Sequence, residues 1–316
     1  MREQWHRQAM WILLTCGLFT AACTSSGAPA SSSSQTGSAS QVITIASFNF
    51  PESEVLAQIY GQALRAKGYR VDVLAGVGAR ELLEPALQRG LVDFIPEYGG
   101  SALTFLSLGQ DRGSSDVMAT HRVLEDVLLL RGAAALDPAP AQDANAIVVT
   151  EDVSARYGLR SISDLASVAP QLKFGGTPEC PQREFCLLGL RHTYGLRFGQ
   201  FMPLDTGGPL TRQALMAHEI DVALLFTTDP HIATDHLVVL ADDRGLQPAE
   251  NVTPVVRRAI LDRYGPPLVA VVDGVSALLT TDDLRALDAS VAANGATPAV
   301  AAGRWLLSKE LLGAGA

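Results

Sequence analysis

Short apolar runs alternate along the chain with longer stretches whose apolar positions recur every three or four residues. "VITIA" (42–46) reads as a buried strand, and "ESEVLAQIYGQALRAKG" (52–68) after it as a helix with one apolar face. "VDFIPEY" (92–98) reads as a strand after the helical "ELLEPALQRG", and "NAIVVT" (145–150) as a strand leading into another helix. Ser161 with Asp164 and Thr280 with Asp283 have capping-box spacing, so each pair is expected to open a helix. Strands alternating with helices predict an α/β fold with largely parallel sheets.

The pattern repeats once. "ALQRGLVDFIPEYGGS" (86–101) and "ALMAHEIDVALLFTTD" (214–229) align without a gap, setting Asp93 on Asp221 and Tyr98 on Phe226. This predicts two similar α/β lobes, each with an aromatic ring at the carboxyl end of a buried strand, the end where open α/β sheets bind ligands. Two such edges facing each other make a cleft. The plainer alternative is that both rings belong to the core.

The first 40 residues obey a different pattern. Arg2 and Arg7 precede the apolar run "MWILLTCGLF", followed by "TAAC". The run is short for a membrane span and has the layout of a secretory signal. Small residues before Cys23 predict a lipoprotein signal over 1–22 and lipidation of Cys23, with simple secretion as the alternative. "TSSGAPASSSSQTGSASQ" offers nothing to bury, so 23–40 is read as a flexible tether. The expected location is extracytoplasmic, anchored to the cell membrane by lipid.

Composition then narrows the chemistry. Cys16 leaves with the signal and Cys23 takes the lipid, which leaves Cys180 and Cys186 in an oxidising compartment, where a disulfide is the default reading. The alternative, a metal pair, lacks a histidine at ligand spacing. Loss of Arg2, Glu3 and Arg7 takes the formal charge from −9 to −10, which argues against nucleic acid and anionic lipid surfaces as partners. A hydrolase reading would pair Asp143 with Glu250, but no Gly-x-Ser-x-Gly elbow, P-loop or complete His-Glu-x-x-His accompanies them. His231 and His236, near Asp229 and Asp235, read as surface or capping residues. No catalysis, metal or cofactor is expected.

Taken together and in order, "EYGGSAL", "SISDLA", "KFGGTPE…R…LLGLRHTYGL", "FTTD…HLVVLADD" and "PVVR…LTTDDLRALDASV" resemble the substrate-binding proteins of osmoprotectant ABC importers, over 42–312. The resemblance implies a two-lobed periplasmic-binding-protein fold of type II-like plan. It implies two crossover segments, with lobe 1 over 41–146 plus 241–316 and lobe 2 over 147–240. The ligand, a small zwitterionic or quaternary-ammonium solute such as glycine betaine, choline or carnitine, would sit in the inter-lobe cleft. Lobe closure would deliver it to an ABC permease and its ATPase.

A quaternary ammonium donates no hydrogen bond and is held by aromatic faces, whereas a carboxylate wants a guanidinium or backbone N–H groups. By this resemblance Tyr98 and Phe226 are cage rings, Ser101 is a contacting hydroxyl with Thr227 as another, Arg183 is the carboxylate anchor, and Asp143 is an acidic neighbour. Asn145 and Glu250 stand where the family carries rings, and Phe48 where it carries a lysine. These departures admit another zwitterion, amino-acid-like or ergothioneine-like; independently of them, the same fold would serve a sensor role as well as transport. A Cys180–Cys186 bridge would pre-order Arg183 between its ends.

Overall fold

The computed structural model describes residues 42–292 and 295–312. The signal segment, the tether and Cys23 lie outside the described residues. The described strands are β1 (Ile43–Phe48), β2 (Val71–Gly78), β3 (Phe94–Tyr98), β4 (Ala133–Ala135), β5 (Asn145–Thr150), β6 (Lys173–Gly176), β7 (Gln200–Pro203), β8 (Val222–Phe226), β9 (Leu237–Val239) and β10 (Val252–Arg257). They make two five-stranded sheets, in the orders β2-β1-β3-β10-β4 and β7-β6-β8-β5-β9.

Each sheet is mixed, which corrects the expectation of largely parallel pairing. In the first, β2, β1 and β3 are parallel while β10 runs antiparallel to both β3 and β4. In the second, β7, β6 and β8 are parallel and β5 opposes both β8 and β9. The reason is topological. β5 and β10 follow the two crossings between the sheets, so each enters from the cleft side and runs against the strands that end there.

The repeat read in the sequence is physical. The Asp93 carboxylate accepts the Thr44 N–H at 3.0 Å while its own N–H donates to the Thr44 carbonyl at 2.8 Å. Asp221 repeats both bonds with Lys173, at 2.8 and 2.9 Å. Each aspartate thereby ties the entry of a central strand to its parallel neighbour, and Tyr98 and Phe226 end those two strands.

Helix α1 (Pro51–Ala66) follows β1. Proline at its start and Glu52 and Glu54 in its first turn suit the positive end of the helix dipole, and Arg65 suits the other. Its buried face, Val55, Leu56, Ile59, Tyr60, Ala63 and Leu64, joins a core built on the first sheet. Trp305, in the helix Pro298–Ser308, belongs to the same core, 6% exposed. Separate clusters carry the two faces of the second sheet. Both capping boxes form: Ser161 with Asp164 opens a short 3-10 helix, and Thr280 with Asp283 opens the helix Thr281–Ala292.

The two crossings lie side by side. Gln142 bridges Asn251 in antiparallel fashion, and the Asp143 N–H donates to the Glu250 carbonyl at 3.0 Å. Helix α2 (Arg80–Gln88) and helix α3 (Gly99–Leu106) reach the cleft from the first sheet. A side chain on Gly100 would place its Cβ 2.3 Å from the Pro248 ring, so only glycine lets α3 start this close to the second crossing. In the second lobe Cys180 and Cys186 are joined as a disulfide with Cα atoms 5.2 Å apart, both buried. The loop they close packs on the helix Leu187–Tyr194, where a Cβ on Gly189 would stand 1.7 Å from the Glu184 carbonyl oxygen.

Candidate functional site

A cavity of about 390 Å³ opens between the sheets. Tyr98, Ser101, Asp143, Asn145, Arg183, Phe226 and Glu250 all line it, so residues from both lobes and both crossings meet there. Thr227 does not. Side chains alternate along an extended segment, so with Phe226 turned inward Thr227 turns out and is exposed. Its hydroxyl donates to Asp143 Oδ1 at 2.9 Å and accepts the Ala144 N–H, which makes it a brace for the first crossing.

The aromatic wall is larger than the sequence indicated. Phe50, just past β1, stands 6.0 Å from the Tyr98 ring and 5.2 Å from the Phe226 ring, measured between centroids. Phe48 stacks on Phe50 at 6.0 Å with planes only 3° apart. The signal was present in "SFNFPES": β1 is also a central strand ending at the cleft, so its terminal rings obey the rule already applied to Tyr98. Tyr98 faces the cavity with its ring, while its hydroxyl donates to buried Glu52 at 2.5 Å.

The charged groups are mostly committed to one another. Arg80 forms a two-pronged pair with Glu97, at 2.8 and 2.7 Å, and its guanidinium lies 5.0 Å over the Phe48 ring. Arg183 reaches out of the disulfide loop to Glu81 on α2 at 2.7 Å and lies 5.5 Å over Phe105. Its side chain is one-quarter exposed, with the guanidinium tied across the cleft instead of pointing to solvent. Burial, with Arg80 nearby, lowers its pKa. The next residue, Glu184, makes a second cross-cleft pair with Arg112 at 2.7 Å.

Glu250 occupies the start of α3, where it accepts the Ser101 N–H at 3.0 Å and the Ser101 hydroxyl at 2.6 Å. Burial pushes its pKa up to about 7, against the opposing pull of those two hydrogen bonds. Asp143 accepts from the Thr227 hydroxyl and the Thr228 N–H; burial and then the Glu52 charge raise its pKa well above the usual range. Asn145 donates to the Phe185 carbonyl at 3.0 Å, and Gln247 donates to the same oxygen at 3.1 Å. The disulfide loop is thus held by one amide from each crossing.

His231 is held by Asp229 through both its N–H and its Nδ1, consistent with a local capping role. Among the described residues no group of three or more His, Cys, Asp or Glu is placed to hold a metal ion, and no helix is long and apolar enough to cross a membrane.

Ring faces, a guanidinium and buried carboxyls converging on a two-lobed cleft are the equipment for holding a small charged solute, and the chain's relatives have that character. It is 28% identical over 283 residues to the glycine-betaine-binding protein of Pseudomonas aeruginosa, covering 86% of this chain and 89% of the relative. It is 26% identical over 267 residues to the glycine betaine-binding protein YehZ of Escherichia coli, covering 82% and 87%. A solved structure described as a glycine betaine/carnitine/choline ABC transporter shares the fold with a TM-score of 0.66 at 22% identity, covering 85% of this chain and 99% of the other. Residues 41–308 match the OpuAC family model, and the chain belongs to that family, the substrate-binding domains of ABC-type glycine betaine transport systems, a class of transport proteins and not of enzymes.

Proposed function

We propose that this chain is an extracytoplasmic solute-binding protein, anchored by a lipid on Cys23, that takes a small quaternary ammonium compound into its inter-lobe cleft for an ABC importer. Lobe 1 is assigned to 41–146 plus 241–316 and lobe 2 to 147–240. The observation that carries the reading is the contiguous wall of Phe50, Tyr98 and Phe226. Such a wall attracts a cation that cannot donate hydrogen bonds, at about 0.5–1 kcal/mol per exposed ring and more once water is excluded. Arg183, oriented by the loop between Cys180 and Cys186, is the candidate partner for a ligand carboxylate, which would share or take the place that Glu81 now holds.

A second reading, a zwitterion bearing N–H donors, is favoured by the carboxyls of Asp143 and Glu250 in the same wall. A thermal-shift screen of glycine betaine, choline, carnitine, proline and ergothioneine separates the two, because a ligand that binds only the native state raises the melting temperature by mass action. Quaternary compounds should give the larger shift. A shift from proline or ergothioneine alone would select the second reading, and no shift from any of them would sink both.

A further inference from the structure

The overall negative charge argues against anionic lipid as a partner, but that charge is unevenly spread. Strands β1, β2 and β3 run parallel from a shared end to the cleft, so the turns before them lie opposite Phe48 and Tyr98. The antiparallel β10 finishes at that same end, where the Arg257 N–H donates to the Asp93 carbonyl at 2.9 Å. The Tyr69 ring, before β2, meets the Tyr264 ring, after β10, edge-on at 5.3 Å. These turns carry Arg65, Lys67, Arg70, Arg89, Arg258 and Arg263, all exposed. Against them stand the exposed Asp72, Asp126 and Asp262. The chain after the signal has a formal charge of −10, so this end is basic on a molecule that is otherwise strongly acidic.

Apolar side chains stand out among the basic ones. Leu91 is 67% exposed in the turn before β3, and Leu130 is 87% exposed in the turn before β4, beside Arg131. The chain also enters the first sheet here: the Ile43 N–H donates to the Arg70 carbonyl at 2.8 Å. Residues 24–41, which link Cys23 to that point, can span at most about 65 Å.

We propose that this end of the first sheet is a docking surface for an anionic phospholipid bilayer, with the basic side chains on the headgroup phosphates and Leu91 and Leu130 entering the interface. Basic residues interspersed with exposed apolar ones are the pattern that seats a surface on anionic lipid. Each basic residue close to such a surface strengthens adsorption about fivefold. At physiological ionic strength charges are screened beyond about 8 Å, so the acidic surface farther up the molecule does not cancel the attraction. A lipid on Cys23 would hold this end within reach of the bilayer, where even a weak patch acts at high effective concentration. Because the strands run from here to the cleft, the docked molecule keeps its cleft away from the lipid. The patch goes beyond the solute-binding reading, and its attraction does not require the anchor.

The test is sedimentation of the mature chain, residues 23–316 with Cys23→Ser so that no lipid is attached, with vesicles of phosphatidylglycerol and phosphatidylcholine in equal parts. At about 0.1 M salt adsorption should exceed that to pure phosphatidylcholine by about tenfold or more, and about 1 M salt should abolish it. Lys67→Glu with Arg89→Glu and Arg258→Glu should weaken it about tenfold or more. Arg156→Glu with Arg160→Glu and Arg191→Glu, at exposed positions of the second lobe, makes the same change in net charge and should leave adsorption near the wild-type value. Leu130→Asp, at an exposed position, should weaken adsorption about fivefold and keeps the test open if the triple variant does not fold. Equal adsorption to both lipids, none to either, or wild-type adsorption by a folded patch variant would overturn the proposal. So would an equal loss in the second-lobe variant. Mass measurement of the native N-terminus tests the anchor on its own, so the two readings fail separately.

Discussion

At the scale of single residues, Phe50 is the sharpest test of the cleft. Its ring touches both strand-end aromatics, so Phe50→Leu should lower affinity for choline by about 1–2 kcal/mol while changing that for its uncharged carbon analogue much less; calorimetry on the matched pair reads the difference. Arg183→Ala should weaken carboxylate-bearing ligands by about 2 kcal/mol or more and spare choline, and equal loss for both would remove the anchor role. Glu250 makes a prediction about pH. Its folded pKa of about 7 lies above the ordinary 4.5, so the folded protein keeps a proton that the unfolded chain gives up. Stability should therefore fall as pH rises from about 4.5 to about 7 and then level off. Glu250→Gln should flatten that slope in denaturant melts at stepped pH. The sequence made Tyr98, Phe226 and Arg183 legible because strand ends and a bracketed arginine are local patterns. Phe50 escaped because its strand was read only as the lead-in to a helix. Glu250 was legible as a departure from a ring, but its bond to Ser101 joins positions 149 apart in sequence and could not be seen.

Among the elements, the stapled loop has the clearest consequence. A bridge across six positions is worth about 2–3 kcal/mol by loop-entropy models, yet the loop is also pinned by Asn145 and Gln247 and packed on Gly189. Cys180→Ser with Cys186→Ser should thus lower ligand affinity, because the freed segment carries Arg183, and the melting temperature as well, because Cys180, Phe185 and Cys186 pack in the core of the second sheet. Paired thermal melts and titrations of the same variant check this. The alternation of strands and helices, both capping boxes and the duplicated strand with its aspartate were readable from periodicity and spacing. The antiparallel course of β5 and β10 was not, because strand direction there depends on which sheet the previous element came from. No local pattern records that.

For the molecule as a whole, the two rim pairs matter more together than singly. Arg183 with Glu81 and Glu184 with Arg112 join the lobes at neighbouring residues of one loop. Partly exposed pairs at a rim contribute on the order of 1 kcal/mol or less each and are screened by salt. Glu81→Gln with Arg112→Ala should therefore enlarge the radius of gyration of the ligand-free protein in small-angle scattering, and raising salt should move the wild type the same way. Unchanged scattering would mean that the apolar wall alone sets the spacing of the halves. The Gln142–Asn251 bridge has its own implication for motion. Two chain passages fastened flank to flank act as a single axle, which suppresses sliding and leaves one swing as the soft coordinate. A solute arriving in the cleft then has little relative freedom left to freeze out, and more of its contact energy remains as affinity.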